Sequence, residues 1–165
     1  MTQPVFLALT SFPALPRRGG GSKSRNQLIN ESQPMTATCA CGQAAITVNA
    51  MPTMHGVCHC TNCKRRTGSA FGISAYFDKT AVAEFVGQTK VYAFHHATQN
   101  HDQARHFCPQ CGTTLFWYLT ALPEKIGIAG GCFADEAFPA PTYTVTDGKR
   151  EAWVSLPTGW QVYPN

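Results

Sequence analysis

The sequence predicts an all-β fold: a small antiparallel domain with metal-bearing turns, behind a disordered N-terminal extension. Three observations predict it. From Thr36 onward the chain is a series of short runs rich in β-branched and aromatic residues, separated by Gly, Pro, Asn and Asp. No stretch of ten or more residues carries a helical apolar period. Seven of the eight cysteines cluster at gaps of one or two residues, a spacing that suits a shared metal ion better than disulfides.

The first 35 residues stand apart. "ALPRRGGGSKSRNQLINESQP" is rich in Gly, Ser, Pro, Asn and Gln without apolar periodicity, so residues 1–35 are expected to be a disordered extension and 36–165 the folded domain. The segment has arginine and serine and is acid-poor before Glu31, which also admits a mitochondrial targeting role. No amphipathic helix is evident, which favours the plain extension. Met35 is a second candidate start. The strand runs then follow at 44–50, 71–77, 81–87, 90–96, 113–119, 125–133, 142–147 and 151–156.

A chain of 165 residues can bury a real core without cross-links. It has no apolar run of about 18 residues, so no transmembrane helix and no membrane association are expected. "VFLAL" near the N-terminus has its basic residues behind it rather than in front, the wrong order for a secretory signal. The net charge of +4 sits mostly in the extension: Arg17, Arg18, Lys23 and Arg25 against Glu31. Residues 36–165 are nearly neutral, so nucleic acid is not an expected partner. Unpaired thiols in such number suggest a reducing compartment, with the cytoplasm the default.

The clustered cysteines form three groups: "CAC" (Cys39, Cys41), "CHCTNC" (Cys58, Cys60, Cys63) and "CPQC" (Cys108, Cys111). A zinc knuckle needs two thiolates on one tight turn, and Gly112 suits the exit from it. Spacing alone admits two pairings. "CTNC" can match "CPQC" as in a zinc ribbon, or "CAC" can match "CPQC" and leave the triplet whole. Either way seven thiolates fill one site of four and leave three for a second, open one. One zinc with three unligated cysteines, or a histidine completing the second site, are the alternatives.

The order C-x-C, then C-x-C-x-x-C followed by basic residues and "TGSAF", then "FCPQCG", resembles the glutathione-dependent formaldehyde-activating enzyme family, which includes centromere protein V. The resemblance covers about residues 36–165. It implies a zinc-bearing β-tent fold, shared with methionine sulfoxide reductase B. It implies two zinc ions: a structural one on Cys39, Cys41, Cys108 and Cys111, and a catalytic one on Cys58, Cys60 and Cys63. The activity implied is that of a carbon–sulfur lyase joining a glutathione-like thiol to a small aldehyde such as formaldehyde. Many family members carry a histidine in the segment corresponding to "PTYTVTD", where this chain has Tyr143.

Other residues have two readings each. Lys64, Arg65 and Arg66 offset thiolate charge and meet substrate carboxylates, or form a solvated basic turn. His59 is expected to be a neighbour of the metal rather than a ligand. Arg105 and His106 flank the second knuckle, and His106 is a candidate base against a partly buried structural histidine. Phe71 and Phe77 share a strand face and read as core, as do Trp153 and Trp160. Cys132 reads as a buried free thiol.

Two other functions remain in play. One is a non-catalytic zinc-stabilised binding module using Lys64–Arg66. The other is a methionine sulfoxide reductase, for which "GGCFAD" around Cys132 is a poor match. Oligomeric state is not legible.

Overall fold

Alternation of apolar and polar residues builds two sheets, and the apolar faces of both meet in one core. The structure is a computed structural model that describes residues 33–134 and 138–165. The expectation of disorder in the extension falls on residues outside this range up to position 32. The first strand, β1, begins at Met35 itself.

Strands β1 (Met35–Thr38), β2 (Ala45–Val48) and β5 (Val82–Val86) form a three-stranded antiparallel sheet in the order β1-β2-β5. The remaining strands are β3 (Met54–Cys58), β4 (Gly72–Asp78), β6 (Lys90–His96), β7 (His101–Phe107), β8 (Thr114–Leu119), β9 (Lys125–Ala129), β10 (Tyr143–Val145) and β11 (Gln161–Tyr163). They form an eight-stranded sheet in the order β11-β10-β3-β4-β9-β8-β7-β6. The helix α1 (Thr61–Thr67) follows β3.

Ala37, Ile46 and Val48 from the small sheet pack with Ala75, Phe77, Phe116, Ile126 and Ile128 from the large one. Phe85 meets Phe116 edge to face at 5.5 Å between ring centres. Each fully buried side chain of this size contributes about 1.5–3 kcal/mol, so this interface carries the fold. Phe77 is fully buried, as expected. Phe71 lies just before β4 and contacts His59 rather than joining that core.

The all-β class is observed, but two pairings are parallel. β10 runs parallel to both β3 and β11. Parallel neighbours need long crossovers, and the segment between β10 and β11 is one. That corrects the expected strand at 151–156: these residues form turns within the crossover, and Trp153 is 74% exposed rather than core. Trp160 is half-buried. The run at 125–133 ends as a strand at Ala129, because Gly130–Cys132 turns into a short 3₁₀ helix. Four strands carried no apolar signal strong enough to read: β1, β3, β7 and β11.

The strand β7 is informative because it is polar. Its residues alternate: Ala104 and His106 on one face, Gln103 and Arg105 on the other. His106 stacks on the core residue Phe116 at 4.3 Å. Gln103 and Arg105 therefore lie on the face of the large sheet turned away from the core, where a cleft opens.

Candidate functional site

The four cysteines of "CAC" and "CPQC" are brought together. Cys39 and Cys41 stand in the turn between β1 and β2, Cys108 and Cys111 in the turn between β7 and β8, and the four sulfurs lie within 4.8 Å of one another. Cys39 Sγ is 3.6 Å from Cys41 Sγ, and Cys41 Sγ is 3.7 Å from Cys108 Sγ. Sulfurs about 2.3 Å from a shared tetrahedral ion stand about 3.8 Å apart, whereas a disulfide bond is about 2.05 Å long. All eight cysteines are free thiols.

Local backbone explains the arrangement. Both turns close in the same way: Cys39 N–H donates to Ala44 O and Cys108 N–H to Thr113 O. Gly112 adopts φ 74°, the left-handed conformation needed to leave the second turn. The Ala44 N–H donates to Cys39 Sγ at 3.2 Å. Thr113 Oγ1 lies 3.2 Å from Cys111 Sγ, and that contact leads the causes that hold this thiol down at about 5. Four thiolates packed this closely need a cation among them, and a dication suits the group. The turns belong to different sheets, so an ion here would clamp the two together.

The triplet stays whole and separate. Cys58 ends β3, Cys60 caps α1 and Cys63 lies in the first turn of α1, their sulfurs within 4.8 Å of one another. Among the described residues no fourth Cys, His, Asp or Glu completes the group. The zinc-ribbon pairing of "CTNC" with "CPQC" is therefore not the one the fold makes. Cys63 N–H donates to Cys60 Sγ at 3.3 Å. Crowding separates the three thiols: Cys60 is driven low by hydrogen bonds from Cys58 and Cys63, while Cys58 and Cys63 are driven up. Three thiolates cannot coexist at this spacing without a cation, so the residues fit a metal ion here too.

The residues around the triplet divide by role. His59 is fully buried, contacts Phe71 edge to face and holds Nδ1 3.4 Å from Ala70 O, outside the group of sulfurs. Lys64, Arg65 and Arg66 lie on α1 rather than on a turn; α1 then ends at Gly68, φ 63°. Cations in a last helical turn oppose the negative end of the dipole. Lys64 is engaged with Glu151 and donates to Lys149 O at 2.7 Å, so the three do not form a free basic patch. Arg66 lies 4.6 Å above the Trp117 ring. Tyr143 packs over Gly56 and against Tyr163. In its segment Val145 pairs with Cys58, and Thr146 brings Oγ1 to 3.9 Å from Cys58 Sγ. His106 is a half-buried partner of Phe116 and Thr89. Cys132 packs against the core, and burial pushes its thiol up to about 11.

A cleft of about 1340 Å³ opens beside the triplet, lined by Cys58, Cys60 and Cys63, by Thr146, and by a wall of Tyr92, Phe94 and Arg105. Sequence reasoning had not singled out Thr146, Asn62 or the Tyr92–Phe94 wall. The one signal for the wall was the even spacing of Tyr92, Phe94 and His96 within the run 90–96.

No curated protein matches the chain. A protein of Rhodobacter sphaeroides with a solved crystal structure is similar at 22% identity and a TM-score of 0.50, covering 65% of this chain and 98% of that one. This likeness concerns the fold. The family model described as glutathione-dependent formaldehyde-activating enzyme matches residues 34–151, a span that holds both cysteine groups and most of the cleft. The chain belongs to the glutathione-dependent formaldehyde-activating enzyme family.

Proposed function

We propose that residues 36–165 form a zinc-dependent carbon–sulfur lyase domain that joins a small-molecule thiol to an aldehyde, or cleaves the adduct. S-hydroxymethylglutathione is the model product. The observation that carries the reading is the contrast between the two cysteine groups: four sulfurs in one, three in the other, and only the three-sulfur group opens on the cleft. Structural zinc sites are closed and reactive ones keep a position free. Cys39, Cys41, Cys108 and Cys111 would hold a structural zinc, and Cys58, Cys60 and Cys63 a catalytic one. Bound there, zinc supplies the Lewis acidity that lets a thiol lose its proton near neutral pH.

In the forward direction the substrate sulfur bonds to the carbonyl carbon, the carbonyl π pair moves to oxygen, and the thiol proton ends on that oxygen. The chain's own part is to position the reactants. The cysteines stand on the end of β3 and the start of α1, two rigid elements joined by His59 and Cys60. Thr146 Oγ1 stands 3.9 Å from Cys58 Sγ, and is placed to pass a proton or stabilise the nascent alkoxide. The link from Lys64 to Glu151 and Lys149 O ties α1 to the segment that carries Thr146. The cytoplasm is the proposed compartment, since it keeps thiols reduced.

Metal content per chain, measured before and after dialysis against millimolar glutathione, tests the reading alongside exchange of formaldehyde into its glutathione adduct by NMR. Two zincs of unequal retention together with accelerated exchange are expected. One zinc throughout, or two held equally with no acceleration, overturns it.

A further inference from the structure

The cleft beside the triplet carries positive charge that no Asp or Glu side chain among the described residues answers. Arg65, Arg66, Arg105 and Lys149 line it, and no Asp or Glu side chain among the described residues does. The ion pairs among the described residues are Lys64–Glu151, His95–Asp102, Lys125–Asp78 and Arg150–Asp147, so none of the three cleft arginines is paired.

Arg105 is the most enclosed of these cations, at 9% exposure. Its Nη2 donates to Asn62 Oδ1 at 2.6 Å, and its guanidinium lies 4.7 Å from the Phe94 ring centre. Both partners are neutral. Its Nε has no hydrogen-bond partner among the described residues. Burial first, and then the charge of Arg66, push the group below its usual range. A guanidinium cannot shed its charge, and a buried charge left unpaired is strongly unfavourable. The sulfurs of Cys63 and Cys60 offset part of it through space, yet among the described residues no hydrogen bond joins them to Arg105.

The missing acceptor belongs to a ligand. Formaldehyde is small and neutral and needs no cation. The anionic group therefore comes with the thiol, and a planar guanidinium fork matches a carboxylate. Resting on the thiol–aldehyde reading above, we propose that Arg105, oriented by Asn62, is the specificity-determining residue of the cleft and docks a carboxylate of the thiol substrate. Asn62 lies between Cys60 and Cys63 on α1, so the anchor and the reacting sulfur are held in register by a single turn of helix. The stacked rings of Tyr92 and Phe94, 5.2 Å apart, form the apolar wall against the body of the ligand.

The test compares glutathione with its diethyl ester, in which both carboxylates are masked and the thiol is intact. Both are titrated into the zinc-loaded protein by calorimetry and assayed for adduct exchange with formaldehyde. The free acid is expected to bind roughly tenfold to a hundredfold tighter. Arg105→Gln should bind acid and ester alike and raise KM for glutathione while kcat stays within about twofold, the pattern of lost uniform binding. Arg105→Lys should retain part of the preference, and Asn62→Ala, which keeps the charge but frees the fork, should narrow it. Equal affinity of the native protein for acid and ester overturns the proposal without recourse to any variant, as does an Arg105→Gln protein that keeps the preference. Acid preference without turnover leaves the anchor standing and refutes the lyase reading. Equal turnover of acid and ester does the reverse.

Discussion

Thr146 holds its Oγ1 3.9 Å from Cys58 Sγ, and does so from a left-handed backbone at φ 56°. A β-branched residue in that region is strained by about 1–2 kcal/mol. The strain falls on the residue that enters the 3₁₀ turn Asp147–Lys149 and lines the cleft. Strain kept at such a place is a trade of stability for position.

Thr146→Gly should therefore stabilise the fold by about 1 kcal/mol, since glycine adopts this backbone freely. The same variant loses the hydroxyl beside Cys58 and should slow adduct exchange at least about tenfold. Urea denaturation and NMR exchange measure the two effects on one protein. A variant that is both less stable and fully active would remove any role for the strain.

The two cysteine groups should separate stability from activity. Cys108→Ser breaks the four-sulfur group that joins the sheets, and should cost more than about 3 kcal/mol in zinc-loaded protein. Cys60→Ser keeps an oxygen to cap α1 and should cost less than about 1 kcal/mol while abolishing exchange. Thermal melts with metal analysis check this; similar losses from both would mean that both groups are structural.

Gly127 faces the Trp117 ring across the β8–β9 pairing, and a Cβ there would overlap the indole. Trp117 is 2% exposed and has no room to retreat. Gly127→Ala should destabilise by about 1–3 kcal/mol and displace Arg66 from the ring it covers. Near-ultraviolet circular dichroism should report the movement of the indole, and an unchanged spectrum at unchanged stability would contradict it.

His55 is buried against Phe138 with neither ring nitrogen hydrogen-bonded among the described residues, and burial pushes its pKa below the usual value of about 6.5. The unfolded chain binds this proton more readily than the folded one. Its contribution is therefore full above the unfolded value of about 6.5 and is lost as pH falls below it towards the lower folded value. The urea midpoint of the native protein should fall relative to that of His55→Leu as pH drops across that window. Parallel curves would show that His55 takes no part in the acid sensitivity.

The strand runs at 90–96 and 113–119 were legible because each is bounded by turn residues and packs against neighbours that reward β-branched and aromatic side chains. The run at 151–156 looks similar and is not a strand. Its apolar Trp153 is exposed, because the crossover to a parallel β11 passes over the surface. The strand β7 shows the converse. Its polar side chains hid it, yet β6 and β8 pair with it on both sides, and backbone pairing does not depend on hydrophobic side chains.

The sequence by itself determined the local chemistry: an all-β chain, and thiols at knuckle spacing with Cys58, Cys60 and Cys63 close along the chain. These rest on neighbours a few residues apart, where φ/ψ preferences and turn geometry act directly. Tertiary structure decided which cysteine pair joins "CPQC", which face of β7 meets the cleft, and that Arg105 meets Asn62, 43 residues away in the chain. Those contacts depend on strand register between distant segments, which sheet pairing and burial settle together and no short window of sequence contains.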